Sequence, residues 1–306
     1  MIESFINKLH NKSFLSLEVT PPHAPNLNNI IENIKKFKLD SAVDGFSTTD
    51  NPLARLKYDS MFSALKLQQT FQKACIVTMS MRDRNKIALQ SDLLGMNDFD
   101  LRIVLALTGD PAHSSDQPGA KAVNEGRSTL LLDMIKCFNS GIDYSGKPFK
   151  ISPKKIFPIS VTNAYAKSNK TIYKNLRLKL SHGTGAIITQ PVYDKDNAKM
   201  LLKTFEQAKN DTEFLENDPV MVLGFFPITR LRTAQFLNSH VPGVYVPASW
   251  MEKLLTAKEK SPEEELKTGL ELSKRAFNEI YKTGRKVHLM SANHFELIRD
   301  ILEISL

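Results

Sequence analysis

The sequence predicts a (β/α)8 barrel, and three observations carry that prediction. Eight short strand-like runs recur along 306 residues, each followed by an amphipathic helical stretch, which is the arithmetic of eight alternating units. No linker-like segment interrupts the alternation, so residues 1–306 read as one domain. Polar and charged side chains gather just past the C-terminal ends of the runs, where barrels bind ligands. Asp110 is the clearest case, set beyond an aliphatic run between Gly109 and Pro111.

The first run is Phe14–Thr20, in which Leu15, Leu17 and Val19 share one face while Ser16, Glu18 and Thr20 share the other. Glu18 is therefore expected to point into the barrel. A carboxylate flanked there by apolar residues is desolvated, which favours the protonated form that a general acid needs. The second run, Gly45–Thr49, ends on Ser47, Thr48, Thr49 and Asp50, and the third, Ala74–Ser80, carries Thr78 and Ser80 on one face. The fourth, Arg102–Leu107, is a strand buried on both faces, and the long segment from Asp110 to Gly126 after it is expected to arch over the mouth. Ile156–Thr162, with Ser160 and Thr162 on a common face, is the fifth run, and Ala186–Gln190, ending on Thr189 and Gln190, the sixth. Val220–Phe226 and Lys286–Ser291 complete the eight, the last followed by Ala292, Asn293 and a helix to the end of the chain. Hydroxyls and amides converging on one rim without a metal-binding cluster suit a flat, hydrogen-bonding organic ligand.

Composition narrows the function further. With 42% hydrophobic and 24% charged residues, the chain has the balance of a soluble globular protein. No apolar stretch approaches the ~18–20 residues of a membrane span, and Met1–Asn11 lacks the features of a signal peptide, so a cytoplasmic location is expected. Cys75 and Cys137, far apart in sequence, fit a reducing compartment, and the seven histidines are scattered, so no metal site is expected. The net charge of +8 is spread over helix-like segments such as Lys253–Lys274, interspersed with glutamates, which reads as solvated helix faces rather than a nucleic-acid surface. Small anionic ligands are still attracted.

Seven motifs in order give the chain a family resemblance. They are Ser16-Leu-Glu-Val-Thr-Pro-Pro22, Thr49-Asp-Asn-Pro52, Arg82-Asp-Arg-Asn85, Leu105-Ala-Leu-Thr-Gly-Asp-Pro111, Ile188-Thr-Gln-Pro-Val-Tyr-Asp194, Gly224-Phe-Phe-Pro-Ile228 and Val241-Pro-Gly-Val-Tyr-Val-Pro247. Together they resemble the methylenetetrahydrofolate reductases, flavin-dependent barrel enzymes, in the branch sometimes fused to a homocysteine methyltransferase. The resemblance implies reduction of 5,10-methylenetetrahydrofolate to 5-methyltetrahydrofolate by NADH or NADPH through FAD, in one-carbon metabolism and methionine biosynthesis. It also implies a homo-oligomer whose partner is a small-molecule folate.

Residue by residue, the resemblance makes Glu18 the general acid that opens the folate's methylene bridge and Asp110 the carboxylate beside flavin and pterin. Thr48, Thr78, Thr108, Gly109, Asn163, Asn175 and Lys179 match cofactor-binding positions, Lys179 facing phosphate. Gln190, Thr233 and His294 match substrate positions. Thr78 stands where the family usually has histidine, Thr108 where one branch has arginine, Asn124 where tyrosine is common, and Asn163 where another branch has histidine. A second reading therefore stays open: a divergent folate-binding paralogue with weak or no flavin, acting as a non-catalytic subunit or on another one-carbon carrier.

Overall fold

A computed structural model describes residues 1–305 apart from 124, 214, 216 and 242. The alternation read at Phe14–Val19 becomes the first strand, β1, and each later strand-like run becomes the next: β2 Gly45–Thr48, β3 Cys75–Ser80, β4 Ile103–Leu107, β5 Phe157–Thr162, β6 Ala186–Pro191, β7 Val220–Phe225 and β8 Lys286–Leu289. All neighbours pair in parallel, and β8 closes onto β1, Ser16 lying opposite His288, so the sheet is a closed barrel in sequence order. The strand ends differ from the sequence reading by one or two residues.

One helix precedes β1. In α1, Ile2–Asn11, the residues Ile2, Phe5 and Leu9 join the apolar cluster inside the barrel with Phe14, Ile76, Ile103, Phe157 and Ile188. Phe5 meets Phe14 edge-on with ring centroids 5.0 Å apart, and it lies so close to Gly45, the first residue of β2, that a Cβ there would fall 2.6 Å from its ring. The helix thus closes the N-terminal end of the barrel. A second apolar layer, including Leu17, Val77, Val104, Ile187, Phe225 and Leu289, fills the space between strands and helices.

Around the barrel run α2 Asn28–Lys36, α3 Leu39–Ala42, α4 Ser60–Phe71, α5 Lys86–Asp98, α6 Ser128–Asn139, α7 Asn169–Ser181, α8 Lys195–Asn210, α9 Leu231–His240, α10 Ala248–Lys260, α11 Pro262–Gly284 and α12 Phe295–Leu302. Their starts follow capping chemistry: Asp59, Asn85, Ser168 and Asp194 each accept an amide hydrogen bond from the first turn they precede. The segment Lys253–Lys274, read from sequence as one helical stretch, is broken at Ser261. There Ser261 caps α11, Pro262 fills its first position, and Glu263, Glu264 and Glu265 sit at the positive end of its dipole.

Going up the barrel, the inner face turns from apolar to polar, from Phe14 to Ser16 and Glu18 on β1 and from Ile76 to Thr78 and Ser80 on β3. On β5 the inner positions are Ile159 and Val161, so Ser160 and Thr162 share a face, as alternation requires, but it is the face toward the helices. They do not join the polar rim, and both hydroxyls are buried without a hydrogen-bond partner among the described residues. The long segment after β4 also departs from expectation. It turns sideways, Val123 N–H donating to the Arg82 carbonyl and Lys86 N–H to Glu125, so it packs on the loops after β2 and β3.

Candidate active site

The polar upper face encloses a cavity of about 400 Å³ at the C-terminal ends of the strands. Glu18 stands on its wall with its side chain 23% exposed, so it is open to solvent on one side rather than fully desolvated. Its neighbour is His288 of β8, whose Nε2 lies 3.9 Å from Glu18 Oε2. The His288 ring is buried, with Nδ1 2.8 Å from Ser16 Oγ and Nε2 3.4 Å from Ser47 Oγ.

Opposite lies the β6 wall. The β6–β7 register shifts between Ile188 and Pro191, and with it the successive residues Thr189 and Gln190 both reach the cavity. Thr189 is committed to the backbone, accepting from Gly224 N–H and donating to the Gln190 carbonyl.

A third side is built by the motifs after β2, β3 and β4. Asp50 is buried and accepts from Ser80 N–H at 2.8 Å and from Arg84 Nη1 at 2.6 Å. Arg84 also meets Asp59 and Asp92, so one guanidinium holds three carboxylates. Burial pushes the carboxyl groups of Asp50 and Asp92 above the usual range, and Arg84 opposes the shift. Asp110 is exposed at the rim and accepts from Leu53 N–H at 2.6 Å. The loop making that contact is strained, with Asn51, Leu53 and Ala54 at φ of 43°, 56° and 56°. Gly109, at φ 94°, is required where it stands, because a Cβ would fall 2.2 Å from Ser80 Oγ.

At the outer end Lys179 reaches in from α7 and donates to Ser128, the first residue of α6. Burial alone draws its ammonium below the ordinary lysine range; no acidic neighbour offsets it among the described residues. The α6 N-terminus has no side-chain cap from Arg127, and Ser128 N–H donates to Thr108 Oγ1. A partly desolvated cation beside a helix N-terminus is suited to an anion.

Of the residues singled out from sequence, Glu18, Thr78, Thr108, Gly109, Asp110, Lys179 and Gln190 meet in this cavity. Thr48 does not: Phe46 packs into the helix-side layer, so Thr48 faces the same way, and its hydroxyl donates to the Ser60 carbonyl, leaving Ser47 and Thr49 on the wall. Asn163 is exposed against Gly243, and Asn175 is exposed on α7, one turn before Lys179. Thr233 and His294 line a separate, wider cleft between the loops after β7 and β8. Asn124 lies outside the described residues.

The family described as methylenetetrahydrofolate reductase matches residues 2–305. The chain belongs to the methylenetetrahydrofolate reductase family. No curated protein matches it significantly. Among solved structures, an uncharacterized protein from Clostridium thermocellum that binds two copies of 5-methyl-5,6,7,8-tetrahydrofolic acid is similar at 15% identity and a TM-score of 0.64, over 99% of each chain. An F420-dependent secondary alcohol dehydrogenase is similar at 11% identity and a TM-score of 0.59, over 96% of this chain and 98% of its own. DmoA from Hyphomicrobium sulfonivorans is similar at 8% and 0.53, over 95% and 86%. These likenesses bear on the fold.

In a methylenetetrahydrofolate reductase family member the group to test against this cavity is FAD. Two unsatisfied features fit it. Among the described residues Lys179, a half-buried cation beside a helix N-terminus, has only a hydroxyl to hold it, which suits a phosphate. Thr49 Oγ1 is buried without a partner among the described residues, on the cavity wall, as a ring carbonyl or ring N–H requires. The cavity itself has room for a ring system, and past Thr108, Gly109 and Asp110 it adjoins a second hollow lined by Arg82, His113 and Lys121, which extends the space for a dinucleotide.

Sequence reasoning missed His288. Its signal was the same alternation that exposed Glu18: in Lys286–Ser291, Val287 and Leu289 belong to one face, and His288 with Met290 to the other. Asp50 was legible as a polar residue at the end of the second run, Arg84 only as a letter of its motif.

Proposed function

We propose that the protein reduces 5,10-methylenetetrahydrofolate to 5-methyltetrahydrofolate, with NADH or NADPH as the hydride source and FAD as its cofactor. The observation that carries this reading is Glu18, a carboxyl group held on the inner face of β1 at the polar end of a ring-sized cavity, with Gln190 and Asp110 on the same walls. In this reading Glu18 donates a proton to a bridging nitrogen of the folate. The carbon–nitrogen bond then breaks with its electron pair going to that nitrogen, leaving an iminium that accepts hydride. Gln190 hydrogen-bonds the pterin edge, and Asp110 exchanges the Leu53 amide for the ligand's N–H donors. Lys179 and the start of α6 hold phosphate. FAD held by Lys179, the start of α6 and Thr49 would supply the hydride relay between nicotinamide and folate.

The test separates the two halves. With Glu18→Gln, reduction of the flavin by NADH or NADPH is expected to survive, while reoxidation by methylenetetrahydrofolate falls by at least ~10²-fold, the usual value of a general acid. Stopped-flow absorbance follows each half, and equal slowing of both would overturn the role given to Glu18.

A second reading, a folate-binding subunit without flavin, is favoured by the hydroxyls of Thr78 and Thr108 on the cavity wall. A protein that binds 5-methyltetrahydrofolate but neither carries flavin absorbance nor quenches added FAD fluorescence would support it.

A further inference from the structure

We infer that Thr49 and Asp50 form one edge-reading pair, Asp50 Oδ1 accepting from a ring N–H and Thr49 Oγ1 donating to the carbonyl beside it, so that this wall takes the cyclic amide edge that flavin and pterin share. The inference rests on the folate and flavin reading above and deepens it. Successive residues of a strand face opposite ways, yet both of these line the cavity. β2 ends at Thr48, Thr49 keeps the inward face of Ser47, and the turn that follows, with Asn51 at φ 43°, carries Asp50 onto the same wall.

The two side chains are unmatched in complementary ways. Asp50 has a side chain only 1% exposed, and Ser80 N–H at 2.8 Å and Arg84 Nη1 at 2.6 Å both donate to Oδ2, which fixes the plane of the carboxylate. Its other oxygen, Oδ1, has no hydrogen bond among the described residues. A carboxylate accepts and does not donate, so this oxygen selects a donor. Asp50, Asp59 and Asp92 share the single guanidinium of Arg84, and the negative charge left over favours a donor at the same place. Thr49 Oγ1 is buried and has no partner among the described residues, which leaves its hydrogen for an acceptor on the ligand.

Other occupants fit this wall less well. A phosphate would meet the Asp50 carboxylate, whereas Lys179 and the start of α6 offer it a cation. A metal ion would need further ligands, and no group of three His, Cys, Asp or Glu side chains suited to one exists among the described residues. A fixed acceptor next to a hydroxyl donor matches a ring edge on which N–H stands beside C=O. Flavin carries that edge at N3 between two carbonyls, and pterin at N3 beside one. Asp110 and Gln190 are given to the pterin in the reading above, so the pair is assigned to the flavin.

The experiment is fluorescence titration of the protein with FAD and with FAD methylated at N3, which keeps the carbonyls and removes the hydrogen. The wild type is expected to bind the methylated form about ten- to a hundredfold more weakly, the worth of a hydrogen bond to a charged group. A methyl group also takes room, so the deciding quantity is how the penalty changes in Asp50→Asn. Ser80 N–H and Arg84 hold the carbonyl of that amide at the Oδ2 position, which puts its NH2 where Oδ1 stood, donor against donor. Asp50→Asn is therefore expected to weaken FAD by a similar factor and to shrink the methyl penalty several-fold. Thr49→Val is expected to weaken FAD about tenfold and Thr49→Ser to restore it. These two leave the Arg84 cluster untouched and decide the matter if thermal unfolding shows that Asp50→Asn is not folded. The same variants titrated with 5-methyltetrahydrofolate identify the ring: a loss confined to the folate supports the pair as an edge reader and gives it to the pterin. An equal methyl penalty in wild type and Asp50→Asn, with FAD and folate affinities unchanged in Thr49→Val, would overturn the inference while leaving the flavin reading intact. Wild-type protein that binds neither FAD nor 5-methyltetrahydrofolate would overturn that reading and the inference with it.

Discussion

Lys179 is a charge that the protein keeps partly out of water, with a single serine to hold it among the described residues. Its depressed ammonium has a sign that can be followed. Below its lowered value the side chain is charged and ready for an anion, and as pH rises through that value toward the ordinary lysine range the charge and the anion affinity are lost. Lys179→Met is expected to leave the ligand-free thermal midpoint unchanged or higher, because it removes a partly desolvated charge. The same change is expected to weaken FAD binding about ten- to a hundredfold, the worth of one charged hydrogen bond. Fluorescence titration across pH measures the binding effect, and the variant should lose the alkaline weakening that the wild type shows. Glu18 is legible in the sequence because a strand's alternation fixes its face. Thr48 and Thr49 show how narrow that legibility is: adjacent hydroxyls, one beneath α4 and one on the cavity wall, distinguished by which way Phe46 points.

At the scale of elements, all eight strands are visible in the sequence because they recur as short strand-like runs, most of them rich in aliphatic residues, between helical stretches; β2, Gly-Phe-Ser-Thr, is legible mainly by its place in that alternation. The helices between β7 and β8 are less so. A periodic polar-apolar pattern runs from α10 into α11, and only Ser261 with Pro262 marks the break. Helix α1 leaves the faintest mark, since its apolar face is three residues, Ile2, Phe5 and Leu9, whose partners lie inside a barrel that no local pattern describes. Phe5→Ala tests its part. Removing this ring from beneath Phe14 and Gly45 is expected to cost about 3–5 kcal/mol, as large-to-small changes in a packed core do. Because the ring lies at the far end from the cavity, folate affinity of the folded variant should be unchanged. Urea unfolding and a binding titration on the same sample separate the two.

For the molecule as a whole, the closed sheet is readable from arithmetic, while the site is readable only in part. Its residues come from the first six strands, from α6 and α7 and from β8, and their meeting depends on closure, on the shift in β6–β7 register and on the reach of Lys179 from α7, none of which leaves a mark in any one segment. The floor that α1 lays under the barrel has a kinetic meaning. With Ile2, Phe5 and Leu9 sealing one end, the cavity is a vestibule entered from the side of the strands' C-terminal ends. On the proposed function nicotinamide and folate both come in from that side, and the first is expected to depart before the second enters. Initial rates at several fixed folate concentrations should give parallel lines in double-reciprocal plots against the nicotinamide. Lines that converge would mean that both guests are inside together.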